Sequence, residues 1–256
     1  MYNVSCMSET VEGKLKFIGC EIIYREACLL AARSPRAVDL QFLRKGLHEL
    51  ETAEMLATVR AAVDQVGDEY EAVILGYARC SDGVVGLTGG DVPVVVPRAH
   101  DCITFLFGGR GAYRDYFDAH PGTYYRSTGW LERGGGGDGA EADTQAGGLG
   151  AAQSYEQLVE KYGKDNADFI AQTMGAWTAN YDNLCYLEMG VCDERPFVEA
   201  ARAEAGERGW GFDHRPGDWT LLEKLFYGRW DEDFVILQGG EKLVARNDDR
   251  VLDASR

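Results

Sequence analysis

The chain has 256 residues, 45% hydrophobic and 27% charged, a globular composition long enough for one large α/β domain or two small lobes sharing a core. Its net charge of −16 is spread along the chain, which argues against a nucleic-acid phosphate partner and against an anionic membrane surface. No run approaches the roughly 18–20 apolar residues of a membrane span, no basic segment followed by an apolar core opens the sequence, and the seven cysteines lack the dense spacing of a disulfide scaffold. The expected setting is a reducing cytoplasm, where thiols are buried or serve as metal ligands.

In chain order, residues 1–13 read as a loosely ordered lead-in. Residues 14–19, KLKFIG, read as a strand that runs out at Cys20. Ile22, Ile23, Ala27, Leu29 and Leu30 then fit a helix, which Ser34-Pro35 stops. A second strand is expected over 37–43, an amphipathic helix over 52–66, and two buried strands over 71–77 and 92–96. Near-continuous Val runs of this kind suit a sheet covered on both faces. A short helix follows Asp101, and an aromatic helix covers 112–120. Residues 121–132 either line a cleft or close a lobe.

Residues 133–150 are Gly-rich and acidic, the composition of a flexible insert. They divide an N-terminal α/β part, 14–132, from a helix-rich α/β part, 151–256. In the second part, helices are expected over 155–162, 166–181, 197–208 and 219–227, strands over 184–188, 210–213 and 234–237, and a frayed polar tail. The expected fold class is α/β: mostly parallel sheet covered by helices, in Rossmann-like layers, with two similar lobes as an option.

Strand ends carry the chemistry. Cys20, Cys80 and Cys102 each fall at or just after the end of an expected buried strand, and His100 precedes Cys102 by two residues. A parallel sheet brings such ends to one edge, where α/β proteins bind ligands. Thiolate and imidazole are preferred zinc ligands. The Cys80-x19-His100-x-Cys102 spacing is not that of a zinc finger, so placement carries this reading. The expected geometry has the three sulfurs within about 4 Å of one another, roughly 2.3 Å from a common zinc. Iron, or a 4Fe-4S cluster on the same three cysteines, is the alternative.

His100 is a fourth ligand or an acid/base, and Asp101 either orients it or caps the following helix. Arg25 and Glu26, one turn beyond Cys20, either reach this edge, as a carboxylate clamp and an acid/base, or form a solvated ion pair. His48 and Arg98 are candidate substrate contacts. Tyr124, Tyr125 and Trp130 either wall in a methylated cation or pack in the core. Cys6, Cys28, Cys185 and Cys192 read as small buried hydrophobes, His120 as a turn residue and His214 as exposed. A Cys nucleophile with His100 as base has no surrounding signature, and Gly83-x2-Gly86-x2-Gly89-Gly90 does not match the dinucleotide fingerprint.

The runs GCEIIYRE, LGYARCSDGVVGL, VPRAHDCITFLFG, PGTYYRSTGW, YEQLVEKYGKDNA and WDEDFVIL, with the GLH of KGLHEL, resemble the bacterial and archaeal family known as domain of unknown function 1638. The resemblance covers nearly the whole chain apart from the lead-in and the Gly-rich insert, where this sequence is longer than the usual connection. It implies that Cys20, His48, Cys80, His100 and Cys102 lie within family motifs, and it implies an association with corrinoid-dependent methyl transfer and methylated-amine use.

The function expected is therefore that of a metal-dependent cytoplasmic enzyme. It would act on a small polar substrate, such as a methylated amine or a sulfur compound in one-carbon metabolism. The rival is a non-catalytic accessory protein of a metal or corrinoid system. A second copy of the chain and a corrinoid methyltransferase are the candidate partners. No DxHxxG-type cobalamin loop is present, which weakens direct corrinoid carriage.

Overall fold

The computed structural model of the protein describes residues 13–47, 51–80, 82–133, 164 and 180–256. His48, Cys6, nearly all of the lead-in and the Gly-rich stretch, and the helices expected over 155–162 and 166–181 (its last two residues excepted) lie outside the described residues.

The strands are β1 (Lys14–Cys20), β2 (Val38–Leu43), β3 (Tyr70–Gly76), β4 (Val94–Pro97), β5 (Thr123–Arg126), β6 (Asn183–Glu188), β7 (Gly211–Pro216), β8 (Phe234–Leu237), β9 (Lys242–Ala245) and β10 (Leu252–Ser255). One sheet has the order β2-β1-β3-β4-β8. Its first four strands are parallel, and β8 runs antiparallel to β4. The second sheet, β5-β6-β7, is parallel throughout, and β9 and β10 form an antiparallel pair. The molecule is α/β with mostly parallel sheets.

Period-two alternation builds two faces on the first sheet. Leu15, Phe17, Ala72 and Ile74 point to one side, where helix α1 (Tyr24–Arg33) adds Ala27 and Leu30. Ile18, Val73 and Leu75 point to the other, covered by Met55, Val59 and Ala62 of α2 (Thr52–Val63). Tyr125, Cys185 and Leu187 of the second sheet belong to the same core as α1, so the two sheets share that core. The far face of the second sheet, Tyr124, Leu184 and Tyr186, packs on Val198, Ala201 and Ala205 of a long helix, Arg195–Arg208.

Two sequence expectations change. The sheets do not divide at the Gly-rich stretch: β5, before it, pairs with β6, after it, and β8 returns to the first sheet. The tail, expected to fray, instead forms β10, because Val251 and Leu252 are buried and supply an apolar face that polar neighbours mask in the sequence. Among the described residues, no helix is long and apolar enough to cross a membrane.

Candidate functional site at the strand ends

The order β2-β1-β3-β4 reverses direction at β1, which places a topological switch point between the C-terminal ends of β1 and β3. Ligands of open α/β sheets bind in the crevice at such a point. Cys20 ends β1, and Cys80 follows β3 by four residues. Both pack against the cores on the two faces of the sheet, as residues at its rim must. Just below them Gly19 pairs with Gly76 across β1 and β3. A Cβ on either would meet the Phe17 ring, 2.3 Å away at Gly19 and 2.4 Å at Gly76, so the ring fills the space between two glycines.

The turn after β3 is locked against the turn after β4. The amides of Arg79 and Cys80 donate to the carbonyls of Ala99 and His100, at 2.9 and 3.0 Å. Cys80 at φ 45 and Asp82 at φ 69 are two of the three non-glycine residues with positive φ among the described residues. Left-handed backbone costs such residues about 1–2 kcal/mol each, and strain of this kind concentrates at functional sites. The Arg79–Asp82 ion pair holds the turn.

Asp101 caps helix α3 (Cys102–Leu106): its Oδ1 accepts from the amide and hydroxyl of Thr104 at 3.0 and 3.1 Å, and its Oδ2 from Tyr113 Oη at 3.2 Å. The capping reading of Asp101 therefore holds. Burial is the largest influence on its carboxyl and raises the pKa.

The three thiols lie close enough to act on one another's charge. Burial pushes Cys20 up to about 11 and Cys80 up to about 12, and Cys102 also goes well above its ordinary value. After burial, the charge of Cys20 opposes ionisation of Cys80, and Asp101, Cys80 and Cys20 oppose that of Cys102. Each residue keeps some exposed surface although its sulfur is densely surrounded. The Tyr77 hydroxyl feels both Cys20 and Cys80 and is buried with no hydrogen-bond partner among the described residues. The Tyr125 hydroxyl, which feels Asp101, is likewise unpartnered.

The closed ligand geometry expected from the sequence is not formed. Among the described residues, no group of three or more His, Cys, Asp or Glu side chains is arranged to hold a metal ion. Burial favours the protonated thiols, and each thiolate would oppose the next one's charge. The donor chemistry still fits a thiophilic dication, which reverses that sign and favours the thiolates.

Other predicted residues go elsewhere. His100 is exposed, and burial, then the positive charges of Arg79, Arg114 and Arg110, lower its pKa against the opposing effect of Asp101. Arg98 is tied to β10 through the Leu252 carbonyl and the Asp253 carboxylate, and to β8 through the Phe234 carbonyl. Tyr124 and Tyr125 are successive strand residues and so face opposite sides of the second sheet, which splits the expected aromatic wall. Tyr124 receives Arg126 Nη1 at 2.9 Å.

Trp130 lies on helix α4 (Thr128–Arg133), 5.5 Å from the Lys45 ammonium, while the Lys45 amide donates to Glu21 beside Cys20 at 2.6 Å. This helix covers the turn after β1: a Cβ on Gly129 would stand 1.7 Å from the Ile22 carbonyl oxygen.

Arg25 forms a two-pronged pair with Glu132, at 2.8 and 2.5 Å, and Glu26 is buried near Glu194. Glu194 and Ser127 are buried polar groups with no mark in the sequence that sets them apart from exposed ones.

The sequence profile of the family described as Protein of unknown function (DUF1638) matches residues 42–226. The chain belongs to this family. The match contains Cys80, His100, Asp101 and Cys102 of the DUF1638 chain, and Cys20 and Glu26 precede it. No curated protein and no solved structure matches the chain.

Proposed function

We propose that this DUF1638 protein is a cytoplasmic enzyme whose site lies at the ends of β1, β3 and β4, with Cys20, Cys80 and Cys102 as ligands of a zinc ion. The mutual charge effects among Cys20, Cys80 and Cys102 beside the switch point, with a strained turn carrying Cys80, support this reading. A bound zinc would activate a thiol or water, or polarise a substrate heteroatom. Tyr77 and Tyr125 offer unpartnered hydroxyls to a small polar substrate such as a methylated amine or a sulfur compound. Asp101 fixes the turn that carries Cys102, and α4 packs over the turn after β1.

The reading of the first sheet as a Rossmann-like layer rests on its β2-β1-β3-β4 order, and that of two related lobes on the second parallel sheet.

Metal analysis and a visible spectrum of anaerobically purified protein test the proposal. A colourless protein with one zinc per chain is the expected result. Absorbance near about 400 nm in a brown preparation would replace zinc with an iron–sulfur cluster. Protein that stays metal-free after incubation with zinc and with iron under reducing conditions would overturn both.

A further inference from the structure

The segment that connects β9 to β10, residues 246–251, lies against the turns at the ends of β3 and β4. Four arginines grip it and the start of β10, largely through main-chain carbonyls. Arg79, next to Cys80, donates from Nη1 to the Arg246 carbonyl at 3.2 Å. Arg98 reaches the carbonyls of Arg250, at 3.5 Å, and Leu252, and the Asp253 carboxylate at 3.4 Å. From the helix Arg110–Ala119, Arg110 holds the Asp249 carbonyl and Arg114 the Asp249 carboxylate, the latter at 2.8 Å. Val251 and Leu252 are buried in the apolar cluster against which Cys80 packs, so the segment helps to close the core beside that thiol.

Strain collects on both sides of the Arg79 grip. Positive φ outside glycine occurs, among the described residues, at Cys80, Asp82 and Val251, the last at φ 62. A β-branched residue in this region is an outlier. Val251 is held there by its own turn: its carbonyl accepts from the Arg246 amide at 2.8 Å, and its amide donates to the Asp248 carbonyl at 3.0 Å. Arg79 joins the two places, since its Nε pairs with Asp82 while its Nη1 holds Arg246. Backbone strain persists only where the surroundings over-determine it, and it gathers at clamps and switch regions. The outer hold on the segment is weak by contrast. Asp249 is 85% exposed, and an exposed ion pair contributes little. The segment can therefore open locally, without unfolding the sheets.

We infer that residues 246–251 form a strap that gates Cys80. While Arg79 grips the Arg246 carbonyl, the Cys80 turn keeps its left-handed form and Val251 and Leu252 keep the core beside the thiol closed. When the strap lifts, that grip is lost, the two strained places relax together, and the thiol opens to solvent. The strap would regulate entry to the strand-end site and in that purpose rests on the proposed function, whereas its coupling to the Cys80 turn needs no metal.

Two rates on the reduced, metal-free full chain test this, both read by mass spectrometry: alkylation of Cys80 by iodoacetamide, and amide hydrogen exchange across residues 246–251. Arg79→Gln should raise both at least about tenfold, the factor that a lost hydrogen bond from a charged group implies. Asp249→Ala, which removes the pair with Arg114 and leaves Arg79 intact, should raise both about threefold. Alkylation of Cys28, on α1, should not change in either variant, as local opening requires. Faster exchange in the strap with Cys80 alkylation unchanged, or neither rate changed in Arg79→Gln, overturns the inference. So does a parallel rise at Cys28, which would show a general loosening. If Arg79→Gln does not fold, Asp249→Ala decides by the same comparison. Neither rate depends on zinc, so a chain that binds no metal contradicts the ligand assignment and leaves this result standing.

Discussion

Cys102→Ser is expected to lose zinc. Removing a partner that merely orients a ligand costs about 10–100-fold in metal affinity, and removing a thiolate ligand should cost more than that. Cys102 feels both Cys20 and Cys80, so its removal leaves two thiols at the switch point and a hydroxyl that binds zinc poorly. Cys28→Ser supplies the contrast. Cys28 lies on α1, away from the strand ends, and its replacement should leave metal content unchanged. Both variants are read by metal content after dialysis against a weak chelator, with thermal melting to confirm folding. Equal zinc in the two variants would remove Cys102 from the ligand set.

Glu26→Gln is expected to stabilise the protein at alkaline pH. Burial raises the Glu26 pKa from 4.5 to about 7, so between those values the folded state holds a proton that the unfolded state has released. Stability therefore falls as pH rises through this window. The full loss, reached above about pH 7, is on the order of 3 kcal/mol at 1.36 kcal/mol per pH unit. Glutamine keeps the shape and has no charge to desolvate. The variant should match the wild type in urea denaturation near pH 4 and exceed it by a few kcal/mol near pH 8. A variant destabilised equally at both pH values would show that the Glu26 carboxyl makes a structural bond in both protonation states.

Much of the first sheet is legible in the sequence because β3 and β4 are almost pure apolar runs, and the Ser34-Pro35 stop and Gly209 mark helix ends that the structure keeps. Parallel pairing brings the ends of β1, β3 and β4 to one edge, which is why the sequence groups Cys20, Cys80 and Cys102 there. β5 was harder to see. Tyr124-Tyr125 are two adjacent aromatics that carry no alternation, and only pairing with β6 shows that they face opposite cores.

β9 and β10 hide among charged residues, and Arg98 looks like a ligand contact until its guanidinium is seen to hold the last strand. The burial of Glu26 is a tertiary fact. In the sequence it sits beside Arg25 and reads as half of a solvated pair, yet Arg25 turns to Glu132, a hundred residues on.

Zinc K-edge X-ray absorption on protein loaded with one zinc per chain tests the central claim most directly. About three sulfur scatterers near 2.3 Å and one lighter scatterer near 2.0–2.1 Å are expected. A shell made only of nitrogen and oxygen would contradict it and exclude Cys20, Cys80 and Cys102 as the ligands.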